Sequence, residues 1–515
     1  MRQYEMAELS FRGPEPEGKV TDVKLTGTFT LSGKTMTVPG FYAGNGTYKV
    51  RFYPTEAGIC TYKVEGAVTG EGTETVEPAA SHGMVKAVGT HFEYEDGTRF
   101  DPFGTTIYAL VHQEKALVEE TLKTLSTAPF NKVRMCVFPK DYSYNKNEPP
   151  YYPFAKKADG SWDVTAPNPE FFDNLEDKIV KLGDMGIQVD LILFHPYDRW
   201  GFAALSQKDN LVYLDYLMKR LAAFPNIWWS LSNEYDFTPK KTQKDWEEIE
   251  QAVHDLDPYH HLESCHNGFH YWDATRLNIT HSSLQVKSLA VVAHERARTK
   301  KPVMIDECCY EGNLNQSWGA ISGEEMTARF WQAVAQGGYC THGETFLDPD
   351  TKDEDSAVVY WAKGGKLIGK SPERIAWLRN IVESLPGPID PQTGRFGNFC
   401  DLTDKQLDAF IDQVPEQHKF FFGSMRRLTE YEKGILRAGE YNYAGQVGEK
   451  AYLWYLYRQT SARYEILLPE NHTYKVEVLD TWEMTRTTFA EHASGSVQVR
   501  LPGKEYMAVL ATIEE

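Results

Sequence analysis

The sequence predicts a multidomain α/β protein, in which a (β/α)8 barrel lies between an N-terminal immunoglobulin-like β-sandwich and a C-terminal β-sandwich. Three observations predict it. Residues 1–80 hold short runs rich in Val, Thr and Tyr, punctuated by Gly and Pro. Residues 81–385 alternate short apolar runs with amphipathic stretches, the pattern of parallel strands joined by helices. After an irregular, Pro/Gly-rich connection over 386–430, β patterning returns through 431–515.

In the first segment the expected strands are Val20–Leu25, Thr28–Leu31, Thr47–Tyr53 and Cys60–Glu65, with Asn45-Gly46 as a turn and a linker near Glu77-Pro78. In the second, the eight expected strands are Phe103–Ala109, Lys132–Phe138, Gln188–Phe194, Ile227–Leu231, Leu262–Cys265, Ile279–Ser283, Val303–Ile305 and Tyr339–Thr341. Expected helices between and after them are Glu114–Ser126, Pro169–Met185, Leu211–Ala223, Lys244–Leu256, Ser288–Thr299, Glu324–Gln336 and Pro372–Ser384. Eight strands in about 240 residues is the size of a closed barrel; an open doubly wound sheet is the rival arrangement. Five strands are expected at the C-terminal end: Tyr452–Tyr457, Tyr464–Leu468, Tyr474–Leu479, Val497–Leu501 and Tyr506–Ala511.

Composition narrows the function. With 515 residues, two to four domains are expected, and 41% hydrophobic residues are enough to build their cores. A net charge of −19 argues against nucleic acid or anionic membrane as partners. Twelve Trp and 29 Tyr supply flat faces that stack on sugar C–H surfaces or fill β-domain cores. The cysteines Cys60, Cys136, Cys265, Cys308, Cys309, Cys340 and Cys400 are scattered without CxxC spacing, so neither a zinc site nor a disulfide framework is expected. The chain opens without an apolar leader and holds no run of about 18 apolar residues, which predicts a soluble, cytoplasmic protein, or a secreted one if a leader has been trimmed.

Barrel enzymes carry their chemistry at the C-terminal ends of the strands. Strand four runs into Ser232-Asn233-Glu234-Tyr235, and strand seven into Asp306-Glu307-Cys308. Strand two carries Arg134, and strand three leads into His195 and, further on, Trp200. His281 falls in strand six, while His342 and Glu344 follow strand eight. Two carboxyl groups facing each other across a barrel mouth are what glycoside hydrolysis needs, one as proton donor and one as nucleophile or base. Their proton affinities must differ, and Arg134 offers a fixed positive charge to keep one of them ionised. Asn233 can bond a sugar 2-hydroxyl. Side-chain alternation along a strand admits only one of Asp306 and Glu307 to the lumen. His195, His281 and His342 are expected to line the pocket, as is Glu344. Trp200, Tyr310 and Trp318 are candidate sugar platforms.

The pairing of Trp228-Trp229-Ser230-Leu231-Ser232-Asn233-Glu234 with Pro302-Val303-Met304-Ile305-Asp306-Glu307 resembles the clan A glycoside hydrolases. With the opening strand Phe100-Asp101-Pro102-Phe103-Gly104-Thr105-Thr106, the barrel is similar to the apiosidase-like family. The tail around Tyr474–Trp482 and Leu501-Pro502-Gly503-Lys504 is similar to the uncharacterised C-terminal domain of the same three-part architecture. The resemblance implies a retaining O-glycosidase with Glu234 as acid/base, Glu307 as nucleophile and Arg134 steadying it, acting without a cofactor on an oligosaccharide or small glycoside. Oligosaccharides of plant or host origin, attacked from an end, are the expected substrates. Two positions depart from the family: Tyr108 stands where many relatives carry Trp, and no strand-eight Trp is evident. A catalytic metal is not expected, because Thr105–Ala109 lacks a His-x-His pair. The alternative from another class is a non-catalytic carbohydrate-binding scaffold with an inactive barrel.

Overall fold

A computed structural model describes residues 1–348, 350, 357–392, 402–433 and 443–514. Cys400 lies outside them, and the other six cysteines are buried. The chain divides into two compact units, 1–285 with 299–320 and 341–369, and 286–298 with 321–340 and 370–515.

The first unit begins with an antiparallel six-stranded sheet in the order Ala7–Arg12, Thr47–Phe52, Lys34–Gly44, Leu25–Leu31, Gly58–Gly66, Gly70–Val76. Its long strand folds the sheet into a sandwich. Lys34–Pro39 pair with Leu25–Leu31, whereas Gly40 onward pair with Thr47–Phe52. The switch falls at Pro39–Gly40, where proline has no ladder donor and a Cβ on Gly40 would stand 2.8 Å from the Lys49 carbonyl. Leu25, Phe29 and Leu31 alternate inward onto Val50, Phe52 and Val64, as a period of two requires. The expected strand Val20–Leu25 is not one. Asp22 and Val23 turn back onto the Lys19 and Val20 carbonyls, making a 3-10 turn over Val20–Asp22, and Val20 packs against both the sandwich and barrel cores.

Eight parallel strands follow: β1 (Phe103–Thr106), β2 (Lys132–Cys136), β3 (Gln188–Ile192), β4 (Ile227–Ser230), β5 (Glu263–Ser264), β6 (Ser282–Gln285), β7 (Val303–Glu307) and β8 (Tyr339–His342). Their order in the sheet is β5-β4-β3-β2-β1-β8-β7-β6. A bridge between His266 and Ser283, with the Thr280 amide bonded to the Glu263 carbonyl, joins β5 to β6 and nearly closes the barrel. The expected closed barrel, not the open sheet, is therefore the architecture. Trp228 and Trp229 illustrate why these strands read as apolar on both faces. Trp228 meets Phe92 and Phe100 of the hairpin strands that precede the barrel, whereas Trp229 donates to Asp257 beyond the helix Gln243–Leu256.

Capping explains where the helices start. Asn168 caps Pro169–Asp184, with proline at the first helical position; Ser206 caps Gln207–Leu221; Thr242 and Asp245 form a reciprocal capping box. Two of these helices meet the sandwich through buried charge. Glu176 accepts from Arg51 at 2.7 Å and from Arg220 at 2.6 Å, Arg51 also bonds Glu8, and both guanidinium groups lie over the Phe41 ring.

The second unit carries the helices Val291–Thr299, Gly323–Val334 and Ser371–Ser384 and a C-terminal antiparallel sheet. Its strand order is Asp390–Pro391, Tyr443–Val447, Ala451–Tyr455, Met507–Ile513, Tyr474–Asp480, Thr485–Ala493, with Arg463–Leu468 and Gly495–Arg500 as a separate pair. Trp331 stacks on Tyr455, and Glu325 gathers Tyr457, Arg458 and Arg329. Within the segment expected to be irregular, Asp404–Gln413 and Glu416–Gly423 are helical. Thr403 and Gln406 supply a capping box that the Pro/Gly content around it obscures. No helix among the described residues is long and apolar enough to cross a membrane.

Removing one partner from a buried ion cluster strands the others. Glu176→Ala, which leaves Arg51 and Arg220 facing each other, is expected to cost about 3–5 kcal/mol in urea denaturation. Lys181→Ala, an exposed lysine on the same helix, is expected to cost under about 1 kcal/mol.

Candidate active site

A buried layer of charge fills the lumen below the mouth. Lys132 of β2 bridges Asp190 of β3 at 2.6 Å and Asp306 of β7 at 2.7 Å. Asp306 is completed by Ser283 of β6 at 2.6 Å and Thr341 of β8 at 2.8 Å. Burial alone would raise the Asp306 carboxyl, but Lys132 and Arg134 outweigh it and hold the group ionised. Arg134 sits above Lys132 on the same strand, with its Nε 3.7 Å from Asp190 and 3.9 Å from Asp306. Its guanidinium reaches upward, Nη2 donating to Asn233 Oδ1 at 3.1 Å and Nη1 to Glu307 Oε1 at 3.4 Å.

Both Asp306 and Glu307 turn inward, against the expectation that only one could. The register between β6 and β7 shifts at Leu284/Gln285, so that Gln285 faces Glu307 and Asp306 is the extra residue of a bulge. The bulge sends Asp306 into the charged layer and leaves Glu307 at the mouth. Opposite it, Glu234 adopts a left-handed conformation, φ 47° and ψ 56°, which is uncommon outside Gly, Asn and Asp. The surrounding amides hold it there. Asn233 N bonds the Phe194 carbonyl and Tyr235 N bonds the His266 carbonyl.

The two glutamates are joined by short links. Tyr108 donates to Glu307 and lies 3.1 Å from Asn233 Oδ1, and Asn233 Nδ2 donates to Glu234 Oε2 at 3.1 Å. Tyr197 donates to Glu234, and His266 Nε2 stands 3.4 Å from Glu307 Oε1. Their surroundings push the two proton affinities apart. Burial and then the charge of Glu307 raise Glu234, with Lys140 and Tyr197 pulling the other way. Burial also acts to raise Glu307, but His266, Arg134 and Tyr108 outweigh it and hold that carboxyl well below the usual range.

Asn233 and Arg134 therefore lie with the pair, and Tyr310 and Trp318 stand nearby. Tyr310 is buried beside Glu307, and burial and then the charge of Glu307 raise its phenol. Half-buried Trp318 packs against Tyr310, Tyr142 and Trp361. The other candidates sit apart. His195 bonds the Phe138 carbonyl, and burial pushes its imidazole down to about 3. Trp200 donates to Glu148 at the surface. His281 precedes β6, which begins at Ser282, so it lies at the strand's N-terminal end against Phe92 and Trp228. His342 stacks on Phe130 and meets Thr105 Oγ1. Glu344 accepts from the Ile368 amide at 2.6 Å, and burial raises its carboxyl to about 7. Among the described residues, no group of three or more His, Cys, Asp and Glu is placed to hold a metal.

Five further residues at the site escaped the sequence reading as site residues: Tyr108, Lys140, Tyr197, His266 and Trp361. His266 directly follows the expected strand five, so the strand-end rule applied there would have found it. Tyr197 lies in the loop from which only His195 and Trp200 were taken. Trp361 comes from the chain after β8, beyond the reach of that rule, and packs edge-on against Tyr108 at 5.3 Å.

The apiosidase-like catalytic domain profile matches residues 86–386, and two domain families of unknown function match residues 1–67 and 441–512. A solved structure from Bacteroides vulgatus ATCC 8482, assigned provisionally as a glycoside hydrolase, is 34% identical. The alignment covers 100% of this chain and 99% of that one, with a TM-score of 0.84. A glycoside hydrolase family 5 structure from the same organism is 15% identical over 84% of this chain and 94% of its own, with a TM-score of 0.61, a likeness of fold. No curated protein sequence matches the chain.

The opposed proton affinities set the expected pH profile of kcat/KM on a turned-over glycoside. Its alkaline limb should follow Glu234 and lie above the ordinary glutamate value, and its acid limb should follow Glu307 and lie below it. Tyr108→Phe removes a donor to the ionised Glu307. It should move the acid limb upward and lower kcat/KM about 10–100-fold.

Proposed function

Because this chain belongs to the apiosidase-like family of catalytic domains, we propose that it is a retaining glycoside hydrolase working by double displacement. The observation that carries the reading is the convergence of Glu234 and Glu307 on one hydrogen-bonded cluster with opposite shifts in proton affinity. Ionised Glu307 attacks the anomeric carbon while protonated Glu234 gives its proton to the departing oxygen. The glycosyl ester on Glu307 is then opened by water, which Glu234, now ionised, deprotonates. Arg134 and Tyr108 hold Glu307 in its charged form, and Asn233, bound by Arg134, offers its amide to the sugar beside the anomeric carbon. Half-buried Trp318, backed by Tyr310, supplies a stacking face for the sugar. Both carboxyl groups are largely shielded from solvent, which suits a pocket that closes over a terminal sugar, and exo action on oligosaccharides is the form of the activity proposed.

An activated 2-deoxy-2-fluoro glycosyl fluoride tests the mechanism. Across a panel of pentosyl and hexosyl reagents, furanosides included, at least one should add a single glycosyl unit to the peptide containing Glu307. A chain that accepts none, while still binding sugars, would be a binding scaffold instead. Glu234→Ala should lose about 10²–10⁴-fold in turnover of unactivated glycosides. Added azide should restore activity toward activated ones and give a glycosyl azide with the substrate's anomeric configuration. Release of monosaccharide alone from an oligosaccharide would support exo action, and mixed oligomers would sink it.

A further inference from the structure

Lys140 lies four residues past the end of β2, and none of the mechanism above uses it. Its Nζ stands 3.4 Å from the centroid of the Tyr108 ring, 4.4 Å from Tyr197, 5.1 Å from Trp361 and 5.7 Å from Tyr142. The residue is 4% exposed. Among the described residues its ammonium makes no ion pair and no hydrogen bond.

An ammonium largely removed from water is costly unless its charge and its donors are both answered. Four aromatic faces answer the charge in part. They leave the three N–H donors without oxygen acceptors. The position of those donors matters. The two nearest rings belong to the tyrosines whose hydroxyls bond the two glutamates, Tyr108 to Glu307 and Tyr197 to Glu234. Lys140 therefore stands against both tyrosines that bond the pair and within reach of the charge of both carboxyl groups. The charged and titratable groups around it are Glu234, Glu307, Arg134, Cys136 and His195, together with the phenols of Tyr108, Tyr142 and Tyr197.

We propose that Lys140 is a substrate-binding residue whose ammonium donates to a hydroxyl oxygen of a neutral sugar seated between Glu234 and Glu307. The inference rests on the hydrolase reading of the same site. Neutrality follows from the company Lys140 keeps. Its charge already interacts with both glutamates, so what it lacks is an acceptor atom, not a counter-ion. A uronate carboxylate placed there would stand beside ionised Glu307, in a site of low dielectric where like charges repel strongly. A hydroxyl supplies the acceptor without that repulsion.

The test uses the full chain, Lys140→Met, which keeps the length and apolar stem, and Lys140→Arg, which keeps the charge. Near-UV circular dichroism checks that each variant keeps the native fold. Saturation-transfer NMR is run with glucose, galactose, mannose, xylose and arabinose, and with glucuronate and galacturonate. At least one neutral sugar should bind the parent chain, at least tenfold more weakly in K140M, with part of the affinity restored in K140R; the uronates should bind no better than the neutral sugars. If free sugars bind too weakly to register, labelling by the fluorosugar carries the comparison, and K140M should raise its half-saturating concentration at least tenfold with little change in the maximal rate. Equal binding or labelling by folded K140M and the parent overturns the role of Lys140 and leaves the hydrolase reading intact. Tighter binding of a uronate overturns the neutral class alone. No binding and no labelling by any sugar overturns both readings together.

Discussion

The arrangement of this site depends on one buried guanidinium. Arg134 is held from below by Asp190 and Asp306, which Lys132 bridges, while Ser283 and Thr341 bond Asp306. With its base anchored in the lumen, its two terminal nitrogens are aimed at Asn233 and Glu307. Planar geometry and permanent charge make arginine suited to this; a lysine could present a charge but not two fixed directions. Because the layer draws on β2, β3, β6, β7 and β8, the geometry at the mouth is set by closure of the barrel.

Two chemically identical side chains are shifted in opposite directions by what surrounds them. Both are removed from water, which by itself favours the protonated form of each. Glu307 then meets a guanidinium, an imidazole and a phenol, and stays charged. Glu234 is raised by burial and by the charge of Glu307, against the pull of Lys140, Tyr197 and His266. The charge on Glu307, held by His266 and Arg134, in turn raises Glu234.

The N-terminal sandwich is tied to two barrel helices. Arg51 reaches from a sandwich strand to Glu176 and to the carbonyl of Arg220, on the helices Pro169–Asp184 and Gln207–Leu221. Tyr216 bonds the Tyr42 carbonyl alongside them. These helices flank β3 in sequence and precede β4, the strands from which Asp190 and Glu234 come. Bracing them is a structural use for a domain whose own residues stay away from the two glutamates.

The amino-acid sequence by itself determined the alternation of strands and helices, and with it the barrel and the strand ends where Glu234, Glu307, Asn233 and Arg134 are found. Hydrophobic periodicity is local, so it survives without knowledge of the fold. It misplaced Val20–Leu25, because β-branched residues there serve a turn that packs between two cores. It also expected His281 beside the pocket, because a strand end cannot be fixed to a residue or two by pattern alone. What only the tertiary structure decided is how residues distant in the chain answer one another's charge. The bulge that lets Asp306 and Glu307 both turn inward is a property of strand pairing. The aromatic enclosure of Lys140 by Tyr108, Tyr197 and Trp361 exists only once three separate loops have met. Electrostatic environment is set by distance in space, and spacing along the chain carries almost none of it.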